Sequence, residues 1–190
     1  WEEGDLRRDE SIRYDFTYLG ITPTEVSWGA DELDPHIKKY EDERTDQFNG
    51  NLANEWYSGK NFIVLRYADV LLCYAECLNE LGETGQANTI VNQVRARAWG
   101  GTLPNEMAWN YGQDEFRTQI MNERIRELCF EGWRRMDLIR TGKFVELIKE
   151  RNSWAKKSGT IKDFHMRYPI PDTEIKNNDD ISEEDQNPGY

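Results

Sequence analysis

Residues 65–98 read LRYADVLLCYAECLNELGETGQANTIVNQVRARA and carry the clearest structural signal in the chain. Their apolar residues recur at helical spacing in two runs, separated by Gly82 and a short turn at residues 83–85. The first run is Ala68, Leu71, Leu72, Ala75, Leu78 and Leu81, and the second is Ala87, Ile90, Val91, Val94 and Ala98. This spacing predicts two amphipathic helices that pack together as a helical hairpin.

The hairpin spans 34 residues, which is the repeat length of a tetratricopeptide helix–turn–helix unit. A unit of this kind cannot bury its apolar face alone, and about three stacked units are needed for stability. Only one clear unit is present in the sequence. We therefore expect an apolar flank that packs against another part of the parent protein.

The segments before and after the hairpin differ in character. Residues 1–60 are rich in turn formers and are predicted to be a loop-rich segment, with one short β-strand indicated by the polar–apolar alternation over residues 11–19. Residues 61–151 are predicted to be a helical region. It contains the hairpin over 62–98 and further helices within about 113–151, at about 113–131, 133–141 and 144–151.

Residues 152–190 are predicted to be an extended C-terminal tail, because Pro169 and Pro171 disfavour helix. The three segments together are expected to form one domain. The predicted fold class is mostly α with long irregular loops, organised around a tetratricopeptide-like helical hairpin and further helices.

Composition narrows the range of functions. The chain has 190 residues and a formal net charge of −12, which repels the phosphate backbone of nucleic acids. Its two histidines, His36 and His165, belong to no catalytic or metal-binding motif. The cysteines Cys73, Cys77 and Cys129 lack metal-ligand spacing and are predicted to be buried apolar residues. We expect no enzyme activity, no metal and no cofactor.

The run of residues from Arg117 to Lys143 holds seven Arg and Lys against four Asp and Glu, which allows two interpretations. One is an anion-binding patch. The other is an intramolecular lattice of ion pairs, because Glu123, Glu127 and Glu131 recur at i,i+4 spacing. The arginines between and after them are Arg124, Arg126, Arg134 and Arg135. This interleaving favours the lattice.

Five blocks of sequence follow one another along almost the whole chain. They are GDLRR (4–8), NFIVLRYADVLLCYAE (61–76), VNQVRARA (91–98), ERIRELCFEGWRRMDLIRTGK (123–143), and YPIP with QNPGY (168–171 and 186–190). In this order they resemble the C-terminal portion of the SusD/RagB family of outer-membrane nutrient-binding proteins of Bacteroidetes-type bacteria. The resemblance implies that the N-terminal half of the family, with its signal peptide, lipidated cysteine and most of the tetratricopeptide scaffold, is missing from this chain.

The resemblance also implies a function. Members of this family are non-enzymatic, surface-exposed lipoproteins that capture oligosaccharide, or in some cases peptide, for a SusC-like TonB-dependent transporter. Glycan capture needs aromatic rings that stack on sugar faces beside polar groups that bond the hydroxyls. The candidates are the aromatic residues in loop-like sequence: Trp28, Trp56, Tyr57, Trp109, Tyr111 and Trp1. Trp28 and Trp56 are preferred because their loops are long and polar, although each ring has the alternative role of packing a loop onto the core.

Two other functions stay open at this point. A tetratricopeptide scaffold that grips a peptide or protein would use exposed polar residues along its inner helices, for which Asn79, Asn88 and Asn92 are the candidates. A glycoside hydrolase would need two carboxylates in one cleft at a fixed separation. Neither has a motif of its own in the sequence.

Overall fold

The computed structural model describes residues 1–13, 36–41 and 59–190, which form two compact units, Trp1–Arg134 and Arg135–Tyr190. The helices are α1 (Arg7–Ser11), α2 (Tyr67–Glu80), α3 (Thr84–Ala98), α4 (Gln113–Glu127), α5 (Trp133–Arg140), α6 (Phe144–Arg151), α7 (Ser153–Ser158) and α8 (Asp172–Asn177). Single 3-10 turns lie at Asn105–Met107, Asp163–Met166 and Glu183–Asp185.

Two short strands, β1 (Ile12–Arg13) and β2 (His36–Ile37), pair in antiparallel orientation. The rest of the strand predicted over 11–19 lies outside the described residues.

The predicted helical hairpin is confirmed and forms the core of the first unit. α2 and α3 pack against each other, and Gly82 takes the positive φ of 85° that the turn between them requires. Ala75 and Ala87 are fully buried, so their small side chains allow the two helices to approach closely. The buried core comprises Leu72, Ala75, Leu78, Ala87, Val91, Val94, Trp109, Phe116 and Ile120.

α4 packs against the hairpin and ends at Glu127, four residues before the predicted end at Glu131. The prediction was wrong because the helical spacing of apolar residues continues past Glu127, whereas the helical backbone conformation ends there. Phe130 and Gly132 take positive φ values of 64° and 85°, which turn the chain out of the helix. This turn allows the Glu131 carboxylate to bond Lys39 and Arg66.

The helices predicted at 133–141 and 144–151 are present as α5 and α6, but the extended tail predicted after residue 151 is not. α7 and α8 lie within it, and Arg135 already begins the second compact unit. Pro171 is the N-cap of α8, and proline is tolerated there because N–H groups at a helix N-terminus have no partner within the helix.

The tail is held by bonds between the two parts of the fifth sequence block. The side chain of Gln186 accepts from the backbone N–H of Ile170 (2.8 Å) and donates to its carbonyl (3.0 Å). The Tyr190 hydroxyl donates to the carbonyl of Arg167 (2.8 Å). A Cβ on Gly189 would lie 2.4 Å from Cγ of Phe164, so only glycine fits there.

α2 carries a second apolar face, opposite the core, and this is the flank expected from the single repeat unit. Its members recur at helical spacing and are all exposed: Tyr67, Val70, Cys73, Tyr74, Cys77 and Leu81. The prediction that Cys73 and Cys77 are buried is therefore wrong for this chain. Cys129 is half-buried. The sequence period placed the cysteines on a helical face, but it did not reveal which face the core covers.

Candidate functional site

Three of the six aromatic candidates lie outside the described residues and stay predictions: Trp28, Trp56 and Tyr57. The other three, Trp1, Trp109 and Tyr111, belong to the first unit. Trp109 and Tyr111 pack in or against the core, whereas Trp1 keeps part of its ring exposed.

Trp109 is a core residue. Its side chain is 5% exposed, and its ring centroid lies 5.6 Å from that of Phe116, edge to face, and 5.1 Å from that of Tyr111. The Arg95 guanidinium lies 5.5 Å from the same ring centroid. An enclosed ring offers no face to a sugar, so in this structure Trp109 has the alternative role of packing a loop onto the core. Tyr111 is partly buried against this core.

Trp1 keeps more of its ring accessible. Its side chain is 38% exposed, and the indole Nε1 donates to the backbone carbonyl of Arg126 at 3.3 Å. This bond fixes one edge of the ring at the end of α4. Trp1 is thus the described candidate with an exposed aromatic surface, and its contact with a ligand stays a proposal.

Asparagines on α3 bind the segment of residues 109–113 by backbone-like hydrogen bonds. Asn92 accepts from the N–H of Trp109 (2.7 Å) and donates to its carbonyl (3.0 Å). Asn88, one helical turn earlier, does the same for Tyr111, at 3.2 Å and 2.9 Å. Each asparagine side chain therefore bonds both the N–H and the carbonyl of one backbone residue. The two bound residues, Trp109 and Tyr111, alternate along the segment, as they would beside a neighbouring β-strand.

Asn79 on α2 extends the same pattern. It donates to the carbonyl of Gln113 at 3.1 Å, while the Gln113 side chain donates to the carbonyl of Asn79 at 2.7 Å. The three asparagines predicted to grip a peptide are thus engaged with a segment of their own chain. In this arrangement they have no free amide groups with which to hold an external peptide.

Replacing Asn92 with Ala is expected to lower the free energy of unfolding of the first unit by about 1–3 kcal/mol, because the N–H and carbonyl of Trp109 lose their partner. Urea denaturation followed by tryptophan fluorescence measures this change. Asn122→Ala is the matched control, since Asn122 makes one weak bond of 3.4 Å to Gln119. Equal losses in the two variants would contradict the role assigned to Asn92.

The strongest electrostatic feature of the first unit is a row of three buried glutamates, Glu123, Glu127 and Glu131, here called the carboxylate ladder. All three side chains are 0% exposed. Ionised carboxylates at such sites need compensating charges, since burial of an unpaired charge is very unfavourable. The compensating cations come from six positions: Arg7, Lys39, Arg66, Arg95, Arg97 and Arg126.

Glu127 is the centre of the ladder. Arg66 Nη1 lies 2.5 Å and Arg7 Nη1 3.0 Å from its carboxylate oxygens, and Arg97 Nη2 also donates to it. Arg7 bonds Glu123 as well, at 2.6 Å. One carboxylate thus holds side chains from three segments that are far apart in sequence.

The two ends of the ladder add further segments. Glu123 accepts from Arg95 Nη1 at 3.0 Å and from Arg126 Nη1 at 3.3 Å. Glu131 accepts from Lys39 Nζ at 2.5 Å and from Arg66 Nε at 2.8 Å. The ladder therefore joins α1, the segment of residues 36–41, Arg66 at the start of α2, α3 and α4.

The predicted lattice of ion pairs exists, but its partners differ from the expected ones. Of the four interleaved arginines, Arg126 bonds Glu123, whereas Arg124 pairs with Asp69 of α2 at 2.8 Å. Arg134 donates to the carbonyl of Met121, and Arg135 belongs to the second unit. Most cations of the ladder come from distant segments, and helical spacing carries no signal for those.

The charged neighbours of Glu127 shift the pKa of its carboxyl group. Burial raises the pKa of Glu127, but the hydrogen bond from Arg66 and the charges of Arg66, Arg97 and Arg7 outweigh it, so the pKa lies below the ordinary 4.5. A general acid for glycoside hydrolysis requires the opposite, a raised carboxyl pKa. Glu127 is thus suited to structural ion pairing.

Acid is expected to weaken the first unit through Glu127. A carboxyl whose folded pKa is depressed stabilises the fold above its unfolded pKa, here about 4.5, and this stability disappears as the pH falls through the lower, folded value. Urea midpoints measured from about pH 7 down to about pH 3 should therefore hold near neutral pH and fall most steeply below about pH 4.5. The Glu127→Gln variant should show a shallower acid slope, and parallel curves for the two proteins would contradict this assignment.

A cleft of about 390 Å³ opens beside Glu127. Apolar side chains of Leu6, Ile63 and Ala98 line it together with cations of the ladder. Those cations already bond carboxylates of the ladder, so we assign the cleft a structural role. Within the described ranges, no cluster of three or more His, Cys, Asp and Glu is arranged to hold a metal ion.

A sequence model of the SusD family matches residues 4–190, and the chain belongs to this family. The resemblance seen in the five sequence blocks is thereby confirmed. Among the residues that the structure describes, no helix has both the length and the apolar character needed to cross a bilayer.

Individual relatives agree with this assignment. SusD-like protein P25 of Formosa agariphila is 38% identical over 133 residues, covering 68% of this chain and 25% of that protein. Starch-binding protein SusD of Bacteroides thetaiotaomicron is 28% identical over 159 residues, covering 81% of this chain and 26% of that protein. The crystal structure of a SusD homologue from the same species matches with a TM-score of 0.65 and 27% identity, covering 98% of this chain and 41% of that one. The chain thus spans about a quarter of the length of these curated relatives.

Proposed function

We propose that this protein captures oligosaccharide at the outer-membrane surface, leaves it chemically unchanged and delivers it to a SusC-like TonB-dependent transporter. Family membership over residues 4–190 carries the proposal. The relative named starch-binding protein SusD, which aligns with 81% of this chain, supports glycan as the ligand class. A lipid anchor on a part of the protein outside these residues belongs to the same proposal.

The described residues support a scaffold role within that function. The carboxylate ladder and the asparagines of α3 fix loop segments on a helical core, and rigid support is what positions binding loops. Trp28, Trp56 and Tyr57 stay the proposed ring contacts, together with Trp1. Each would present a flat apolar face to a pyranose ring.

The alternative functions are less well supported. A peptide-binding scaffold would need free amides on the inner helices, but Asn79, Asn88 and Asn92 are engaged with residues 109–113. A hydrolase would need a protonated carboxyl group in a cleft, whereas Glu127, which lines the cleft, has a lowered pKa.

We also propose that the outer face of α2 packs against helices of the same protein that lie outside these 190 residues. The curated relatives are about four times as long as the parts that align, so their fold contains much more chain. Tyr67, Val70, Tyr74 and Leu81 form a continuous apolar stripe on this face. A stripe of this type matches the way stacked helical repeats bury their faces.

Titration of the full-length protein against a panel of oligosaccharides, peptides and buffer blanks tests the capture function. We expect binding to at least one glycan at micromolar or weaker affinity, with no release of reducing ends on prolonged incubation. Trp56→Ala should weaken that binding about tenfold, because it removes one stacking face. Binding of peptides alone, or release of new reducing ends, would contradict the proposal.

A further inference from the structure

The second unit has an uneven distribution of charge. Residues 135–162 contain eight Lys and Arg against three Asp and Glu, a net +5, whereas residues 163–190 contain two against eight, a net −6. In a protein of net charge −12, a basic segment of this length is unusual. α6 and α7, which pack against each other, form its central part.

Several of these cations have no ion-pair partner. Lys143 pairs with Glu146 at 2.9 Å, and Arg151 lies 3.8 Å from Glu150. Lys149, Lys156 and Lys157, by contrast, are exposed and form no ion pair within the part of the chain that the structure describes. Their ammonium groups are therefore available to an anion.

Trp154 lies on α7 with Lys156 and Lys157, and Lys149 lies on α6, which packs against α7. Its side chain is 80% exposed, which is far outside the ordinary burial of tryptophan. α7 is fixed at both ends, by the Asn152 side chain accepting from the N–H of Ala155 (2.9 Å) and by Gly159 in a left-handed conformation. Lys157 follows Trp154 by three residues and shares its side of the helix.

We infer that Trp154 with Lys149, Lys156 and Lys157, here called the basic aromatic patch, binds an acidic glycan that carries carboxylate or sulfate groups. The indole ring stacks on the apolar face of a pyranose, and the ammonium groups pair with the anionic substituents of neighbouring sugars. The inference rests on the proposed function and narrows its ligand class to charged saccharides.

Charge and apolar content favour this ligand over other polyanions. An interfacial membrane helix presents a stripe of several exposed apolar side chains. On α6, the helix that packs against α7, the apolar residues are instead buried or half-buried: Phe144, Val145, Leu147 and Ile148. Nucleic acid has a much higher density of negative charge and is repelled by the rest of the protein. An acidic glycan combines a sugar face for one ring with widely spaced charges.

Calorimetric titration of the full-length protein with oligogalacturonate and with its carboxyl-reduced, neutral counterpart tests the inference. At low salt we expect the acidic ligand to bind at least about tenfold more tightly, and the difference to shrink at about 0.5 M salt. Lys149→Gln/Lys156→Gln/Lys157→Gln should remove most of the preference, whereas Trp154→Ala should weaken the binding of both ligands, because both offer a pyranose face to the ring. The corresponding triple Lys→Arg variant keeps the charge and should retain it.

Lys60→Gln/Lys176→Gln is the control for a general change in charge, and it should leave the preference intact. Equal binding of acidic and neutral ligands, or a preference that the triple variant keeps, would overturn the inference but not the capture function. Failure to bind any glycan in the wider panel would overturn both. Binding to vesicles of anionic phospholipid through the same lysines, without a preference for the acidic glycan, would assign the patch to a membrane surface and overturn the inference.

Discussion

Replacing Glu127 with Gln is expected to lower the free energy of unfolding of the first unit by about 3–5 kcal/mol. The variant keeps the size of the side chain but removes the charge that Arg7, Arg66 and Arg97 share. Two of these arginines have pKa values above the ordinary range. For both, burial lowers the pKa, but hydrogen bonds and charges outweigh it, from Asp5 and Glu123 for Arg7 and from Glu131 and Glu127 for Arg66. They stay charged in the variant, so part of their buried charge is left uncompensated.

Urea denaturation of the two proteins, followed by tryptophan fluorescence, measures this loss. Glu80→Gln is the matched control in the same unit, because Glu80 forms an exposed pair with Arg117, and exposed pairs contribute little to stability. If Glu127→Gln were no more harmful than Glu80→Gln, the carboxylate ladder would not be what holds the segments of the first unit together.

Replacing Phe116 with Ala should also cost about 3–5 kcal/mol, for a different reason. Phe116 is 0% exposed, and its ring meets that of Trp109 edge to face at 5.6 Å. Removing it leaves a cavity where α4 packs on the hairpin, and Trp109 loses its aromatic neighbour.

Phe62→Ala is the control for loss of a phenyl ring, since Phe62 is 62% exposed. We expect this control to cost less than about 1 kcal/mol. Thermal unfolding of both variants, monitored by near-ultraviolet circular dichroism, reports the fixed packing of the aromatic side chains, to which Trp109 contributes. A near-ultraviolet signal and midpoint unchanged in Phe116→Ala would contradict its place in the core.

The helical hairpin could be predicted because its information is local. The apolar period of residues 65–98 and the glycine at 82 specify α2, the turn and α3 without reference to the rest of the chain. Gly142 marks the end of α5 in the same way. The five sequence blocks, taken in order along the chain, then identified the family.

The ladder could not be predicted in the same way, because its partners are far apart in sequence. Glu127 and Arg7 are separated by 120 residues, and only tertiary packing brings them together. The apolar period also gave no sign of the early end of α4, which follows from the positive φ values of Phe130 and Gly132. The burial of Trp109 could not be predicted either, because it depends on Asn92, a residue of α3 that binds the Trp109 backbone.

A thiol that the chain already contains can show whether the outer face of α2 is covered in the full-length protein. Cys77 lies on the outer face of α2 and is exposed in this chain, but we propose that other helices of the full-length protein cover this face. Maleimide labelling of the full-length protein, native and urea-unfolded, with the labelled peptides identified by mass spectrometry, gives the protection of Cys77. A Ser158→Cys variant supplies an exposed reference thiol on α7.

We predict that Cys77 reacts about a hundredfold more slowly in the native protein than in the unfolded one, while the reference thiol reacts at similar rates in both. Rapid native labelling of Cys77, equal to that of the reference thiol, would show that the apolar stripe of α2 faces solvent. That result would contradict the account of this chain as one part of a larger helical scaffold.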